Sequence, residues 1–195
     1  MKYILRTFIF CIIYILFSFA INNYTFYVKE AWSAPGDSQN VTLISRAFLG
    51  QARSVVINNS TLYTGAGGSL MIIKRGANGN YLAGSLYTPG MIYSLFSINN
   101  LIYVADGKGG LRIIDVSNSS SPVEIGYYVK TGEVRDVVVT GNYAYLANGS
   151  SGLRILNISN PQIPVEVGNY VPGASVLAVA HEYPYTYITL STGHL

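Results

Sequence analysis

The chain has 195 residues, half of them hydrophobic and only 11% charged; this excludes a disordered chain and suits one packed domain or one long repeat array. Net charge is +3, but Lys2 and Arg6 lie in the first six residues, so the remainder carries only +1 and lacks the basic cluster that nucleic-acid binding requires. Cys11 is the only cysteine and sits in the apolar leader, which excludes disulfides and cysteine-ligated zinc from the rest of the chain.

Tyr, at 17 copies, and Gly, at 20, lean the composition towards strands and tight turns, an all-β chain. At the N-terminus, Lys2 and Arg6 precede the apolar run Phe8–Ile21, broken only by Ser18. A basic start, an apolar stretch and small residues form the export-signal pattern, and Ser18-Phe19-Ala20 places cleavage after Ala20. Residues 1–20 are therefore expected to be a signal peptide, with a retained membrane anchor or a buried helix as alternatives, since a spanning helix wants about 20 apolar residues. Bulky Ile9-Phe10 before Cys11 argues against a lipoprotein.

Residues 21–51 form an extension in which 25–32 and 41–46 could each supply a strand. Beyond it the chain repeats itself. Tyr103-Val-Ala-Asp-Gly-Lys-Gly-Gly-Leu-Arg-Ile-Ile-Asp-Val-Ser-Asn118 aligns with Tyr145-Leu-Ala-Asn-Gly-Ser-Ser-Gly-Leu-Arg-Ile-Leu-Asn-Ile-Ser-Asn160 at an offset of 42, with nine of sixteen positions identical. The match continues through Pro122–Tyr128 and Pro164–Tyr170. A weaker copy lies upstream, where Arg53, Tyr63, Leu70 and Gly84 take the places of Arg135, Tyr103, Leu111 and Gly126. A partial copy lies downstream, where Val176, Val179, Tyr185 and Tyr187 match Val134, Val137, Tyr143 and Tyr145. The units are 52–91, 92–133, 134–173 and a partial 174–195.

Each unit reads as four short strands. In the third they are Val134–Val139, Tyr143–Ala147, Leu153–Ile158 and Val165–Tyr170, separated by Gly-, Asn- and Pro-rich turns. Runs such as Val137-Val-Val139 and Ile113-Ile114 are apolar on both faces, which suits strands buried between stacked sheets. Four strands every 42 residues or so is the spacing of a propeller blade.

At Tyr-x-Ala-(Asp/Asn)-Gly-x-x-Gly-Leu-Arg-Ile-(Ile/Leu)-(Asp/Asn)-(Val/Ile)-Ser-Asn, residues 103–118 and 145–160, the chain resembles the LVIVD-repeat family of bacterial and archaeal exported and cell-surface proteins. The resemblance implies β-propeller repeats and an exported scaffold, with no particular activity. Fewer blades are present than the four or more of a complete propeller. Three readings follow: a truncated product, a ring closed by a mixed blade of residues 25–32, 41–46 and 174–189, or association with another chain across the open faces.

Candidate chemistry is thin. Asp106-Gly-Lys-Gly-Gly110 has the look of a cation or phosphate loop, but its counterpart Asn148-Gly-Ser-Ser-Gly152 has lost the carboxylate, so a turn is expected. Asp115 and Asn157 share one position and are expected to cap their own turns. Arg112 and Arg154 are equivalent, as are Arg53 and Arg135. Repetition points to blade packing, with Arg135 pairing to Asp136 or Glu133; an anion-binding ring is the alternative, interrupted by Met71, Tyr93 and Leu177. His181 and His194, the only histidines, share no recurring carboxylate partner, so no metal site is expected. No Gly-x-Ser-x-Gly elbow, P-loop or cysteine nucleophile is present. The Tyr-rich strands either pack half-buried or offer rings to sugars or peptides.

The expectation is an exported or cell-surface scaffold without cofactor, joined to a membrane only through residues 1–20. Another protein and a cell-surface glycan are the partner classes left open. The alternative is a fragment of an extracytoplasmic enzyme with its site in a central channel.

Overall fold

Short β-branched and aromatic runs punctuated by Gly and Pro build sheets of four adjacent strands, each strand turning directly into the next. The computed structural model describes residues 52–193 apart from Asn78, all within one unit, Leu49–Leu195. The expected leader 1–20, the 21–51 extension with its two candidate strands, and His194 lie outside the described residues.

The first sheet holds β1 (Ala52–Asn58), β2 (Thr61–Ala66), β3 (Ser69–Gly76) and β4 (Gly79–Tyr87). The second holds β5 (Ser94–Ile98), β6 (Leu101–Ala105), β7 (Leu111–Asp115) and β8 (Val123–Tyr128). The third holds β9 (Asp136–Thr140), β10 (Tyr143–Ala147), β11 (Leu153–Asn157) and β12 (Val165–Tyr170). Two strands, β13 (Val176–Glu182) and β14 (Tyr185–Leu190), follow as a two-stranded sheet. Every pairing is antiparallel and every complete sheet runs in chain order. In the third unit Val134, Arg135 and Ile158, expected to lie in strands, fall just outside β9 and β11. Val134 instead forms a lone bridge to Gly107, tying the third unit to a loop of the second.

The sheets stack through their first strands, β1 beside β5, β5 beside β9 and β9 beside β13. Neighbours share apolar layers, as no single sheet could shield both faces from water. Ile113 and Ile114 show the arrangement: Ile113 packs with Val137 and Leu146 of the third sheet, and Ile114 with Tyr63, Leu70 and Ile72 of the first. A third, smaller layer joins Ala147 and Leu153 to Val176 and Val179. These are four-stranded antiparallel blades of a repeat.

One irregularity recurs in register. The third and fourth strands slip by a residue between Ile72 and Ile73, between Ile113 and Ile114, and between Ile155 and Leu156. The extra residues, Ala83, Ile125 and Val167, bulge on the outermost strand, which bends that edge and ends its regular ladder. Among the described residues no helix is long and apolar enough to cross a membrane.

Candidate functional site

The glycine-rich loop after β6 closes on itself. Asp106 N–H donates to the Gly110 carbonyl at 2.8 Å and Gly109 N–H to the Asp106 carbonyl at 2.7 Å. The loop after β10 does the same through Asn148 and Gly152, also at 2.8 Å. Gly110 and Gly152 take φ of +83° and +84°, where a side chain is strained and a Cβ would meet the carbonyls of Tyr128 and Tyr170. The Asp106 carboxylate turns inward and is completely buried. It accepts from Thr88 Oγ1 at 2.6 Å and Gly90 N–H at 2.9 Å, with Arg112 Nε 3.7 Å away. Burial pushes its carboxyl up, and the Thr88, Gly90 and Arg112 contacts only partly offset that. This loop is a turn and a blade-to-blade tie; its carboxylate is occupied within the fold.

Arg112 and Arg154 reach along their sheets to equivalent glutamates. Arg112 Nη1 lies 3.3 Å from Glu124, and Arg154 Nη1 lies 3.1 Å from Glu166. Glu166 gathers more partners: Lys130 Nζ at 2.9 Å, Asn169, and the hydroxyl of Tyr128 from the preceding sheet. Lys130, Tyr128 and Arg154 hold its carboxyl well below the usual range, at about 2. Burial, and then the bond to Glu166, push the Tyr128 hydroxyl up. Asp115 and Asn157 accept the N–H two residues on, Ser117 at 2.8 Å and Ser159 at 2.9 Å, as turn caps do.

At the starts of the first strands, Arg53 and Arg135 both approach the Tyr93 ring, with guanidinium carbons 5.1 and 5.8 Å from its centroid. Tyr93 donates its hydroxyl to Glu133 at 3.0 Å, and Arg135 pairs with the same carboxylate at 2.9 Å. Burial pushes the Glu133 carboxyl up, but Arg135, Tyr93 and Lys108 outweigh it and hold it below the ordinary range. Tyr93 thus joins the Arg53 and Arg135 positions in one contact. His181 stacks on Tyr145 at 4.1 Å, and its Nδ1 lies 2.9 Å from Thr186 Oγ1. Among the described residues no three His, Cys, Asp or Glu side chains are placed to hold a metal.

The same polar pairs therefore return on the same strands of the second and third sheets. The family model for the LVIVD repeat matches residues 96–130 and 131–171. These two stretches are tandem LVIVD repeats. No curated protein matches the chain. Among solved structures it is similar to the computationally designed Ika4 protein, with a TM-score of 0.67 at 9% identity, covering 80% of this chain and 95% of that one. It is also similar to the computationally designed Ika8 protein, with a TM-score of 0.61 at 9% identity, covering 73% of this chain and 43% of that one. At such identity the likeness is one of fold alone.

In the frame of the LVIVD repeats, each singled-out residue has a place. Arg112, Arg154, Asp115 and Asn157 stay within their own sheets, and Arg135 takes Glu133 as its partner. Asp136 does something else: its Oδ1 caps Val137 N–H at 2.9 Å and its Oδ2 accepts Val179 N–H at 3.0 Å, hooking β9 to β13. Ser54, one residue after Arg53 as Asp136 is one after Arg135, accepts Leu95 N–H at 2.9 Å and hooks β1 to β5. The equivalence of Ser54 and Asp136 was visible in the repeat; their bridging role needed the neighbouring sheet.

Proposed function

We propose that this chain is an exported or cell-surface repeat scaffold that binds a protein or a cell-surface glycan and performs no catalysis. The observation that carries this reading is where the repeated polar side chains go. Asp106, Arg112, Arg154, Glu166, Asp115 and Asn157 bond within or between blades, so the residue types that could do acid–base chemistry serve the scaffold. What faces solvent is apolar and aromatic: Tyr81, Tyr87, Tyr127 and Tyr170, with Ile163, Val165 and Val167. Exposed tyrosines on a rigid sheet give an apolar face with a hydrogen-bonding tip, the surface chemistry of peptide and sugar recognition. The basic, apolar and small-residue order of 1–20 supports export.

Two measurements test the reading. Fractionation of cells carrying the tagged chain should find it outside the cytoplasm, its N-terminus at Ile21 or, if anchored, intact in the membrane. A soluble cytoplasmic chain of full length would end the export proposal. Binding of the purified chain to arrayed cell-envelope glycans and surface-protein fractions should fall several-fold in Tyr127→Ser with Tyr170→Ser. Binding that is absent, or indifferent to both changes, would end the scaffold proposal.

A further inference from the structure

We propose that Arg53, Lys108 and Arg135, gathered around Tyr93 at one end of the sheets, form a binding site for the carboxylate groups of an acidic glycan. The site deepens the scaffold reading, on which it rests, by giving the ligand a charge. Each cation comes from a different unit: Arg53 lies at the start of β1, Lys108 in the loop after β6, and Arg135 just before β9. One repeat further on, the places of Arg135 and Lys108 are taken by Leu177 and Ser150, which carry no charge. Along the chain these are scattered basic residues, and the stacking of the sheets brings them together.

Their arrangement is fixed around one ring. The guanidinium carbons of Arg53 and Arg135 stand 5.1 and 5.8 Å from the Tyr93 centroid. The edge of that ring packs on Gly107, where a Cβ would meet Tyr93 Cε2 at 2.9 Å. Gly107 N–H in turn donates to the Val134 carbonyl at 3.0 Å, and Val134 N–H to the Gly107 carbonyl at 2.9 Å. This double bridge sets the turn that carries Lys108 beside the segment that carries Glu133 and Arg135.

The charges do not balance. Among the described residues Glu133 is the carboxylate that serves this cluster, taking the Tyr93 hydroxyl at 3.0 Å and Arg135 at 2.9 Å. Lys108 is close enough to help hold that carboxyl below its ordinary range. The acids next along the chain are spent elsewhere. Asp106 is completely buried and accepts from Thr88 and Gly90, and Asp136 accepts the N–H groups of Val137 and Val179. Three cations against one carboxylate leave positive charge at the surface, where Arg53 and Lys108 are exposed. An incoming anion relieves the repulsion among them. Guanidinium groups match a carboxylate with two parallel N–H bonds, and an ammonium adds a point charge. The Tyr93 hydroxyl and edge are already engaged, so the site offers charge rather than the apolar socket in which a protein partner anchors a side chain. A hydrated chain of sugar acids fits that chemistry.

The test is binding of the full chain, purified as the cell makes it, to polygalacturonate by titration calorimetry, with neutral dextran as the comparison. Polygalacturonate should bind and dextran should not, and affinity should fall as ionic strength rises from about 0.01 to about 0.15 M. Arg53→Gln and Lys108→Ser should each weaken binding about threefold, and together about tenfold. Both leave the Tyr93–Glu133–Arg135 bonds in place. Arg75→Gln, the same loss of charge at the far end of the first sheet, should leave binding unchanged. A chain that ignores polygalacturonate, or is weakened as much by Arg75→Gln as by Arg53→Gln, overturns the proposal. Polyglutamate bound as tightly as polygalacturonate would give the site to acidic peptides and overturns it equally. A chain that binds arrayed envelope fractions through Tyr127 and Tyr170 but not polygalacturonate overturns this inference alone and leaves the scaffold reading standing.

Discussion

Arg112 faces two carboxylates, Asp106 at 3.7 Å and Glu124 at 3.3 Å, and the first sheet shows what the same positions look like without them. There Met71 replaces Arg112 and Leu82 replaces Glu124, so an ion pair and an apolar pair fill one site in successive repeats. Arg112→Met alone strands the buried Asp106 carboxylate and should cost about 3 kcal/mol in urea unfolding. Adding Asp106→Asn, the residue that the next repeat carries at Asn148, should recover much of that loss. Glu166 makes the complementary prediction about pH. Its carboxyl is held at about 2 against an ordinary 4.5, so it contributes stability above the ordinary value that is lost as pH falls from about 4.5 to about 2. Half-exposed Lys130 is screened by solvent, which leaves a contribution of roughly 2 kcal/mol. Glu166→Gln should flatten acid unfolding between those limits, as followed by circular dichroism.

The outermost strands differ in what meets their repeated glycines. A Cβ on Gly126 of β8 would run into the Pro161 carbonyl of the next unit at 2.1 Å, and one on Gly84 of β4 into the Ser119 carbonyl at 2.1 Å. At Gly168 of β12 the nearest atom is Ile155 Cδ1 at 3.5 Å, an ordinary contact. Gly126→Ala should therefore destabilise by 1 kcal/mol or more on the order of an overpacked core site, while Gly168→Ala should be close to neutral in thermal melts. The three glycines share one repeat position, and sequence spacing alone treats them alike. What separates them is whether the turn of a following unit presses on that strand.

Burial across the whole stack follows position in the row. Tyr63 and Tyr103 are 5% and 3% exposed, whereas Tyr187, at the same repeat position on β14, is 55% exposed. At the other end Val55 is 63% exposed, while its equivalents Leu95, Val137 and Val179 are all at 7% or below. A residue is buried when the adjoining sheet is there to cover it. Leu111→Ala, between the second and third sheets, should cost about 3 kcal/mol, and Tyr187→Ala should change monomer stability by less than about 0.5 kcal/mol. A Tyr187→Ala loss as large as that of Leu111→Ala would show that a further layer covers β14.

The strands, their antiparallel order and the turn caps at Asp115 and Asn157 were legible in the sequence by itself, as was Glu133 as one of two partners open to Arg135. They depend on residues close along the chain, where alternation, turn chemistry and a 42-residue offset speak directly. The blade-to-blade contacts were decided by the tertiary structure. Tyr128 with Glu166, Asp136 with Val179 N–H and Ser54 with Leu95 N–H join residues about one repeat apart, and which carboxylate meets which donor depends on the offset between stacked sheets. The buried inward turn of Asp106 belongs with them: the loop motif is local, but Thr88 and Arg112, which occupy its oxygens, arrive from separate strands and connections.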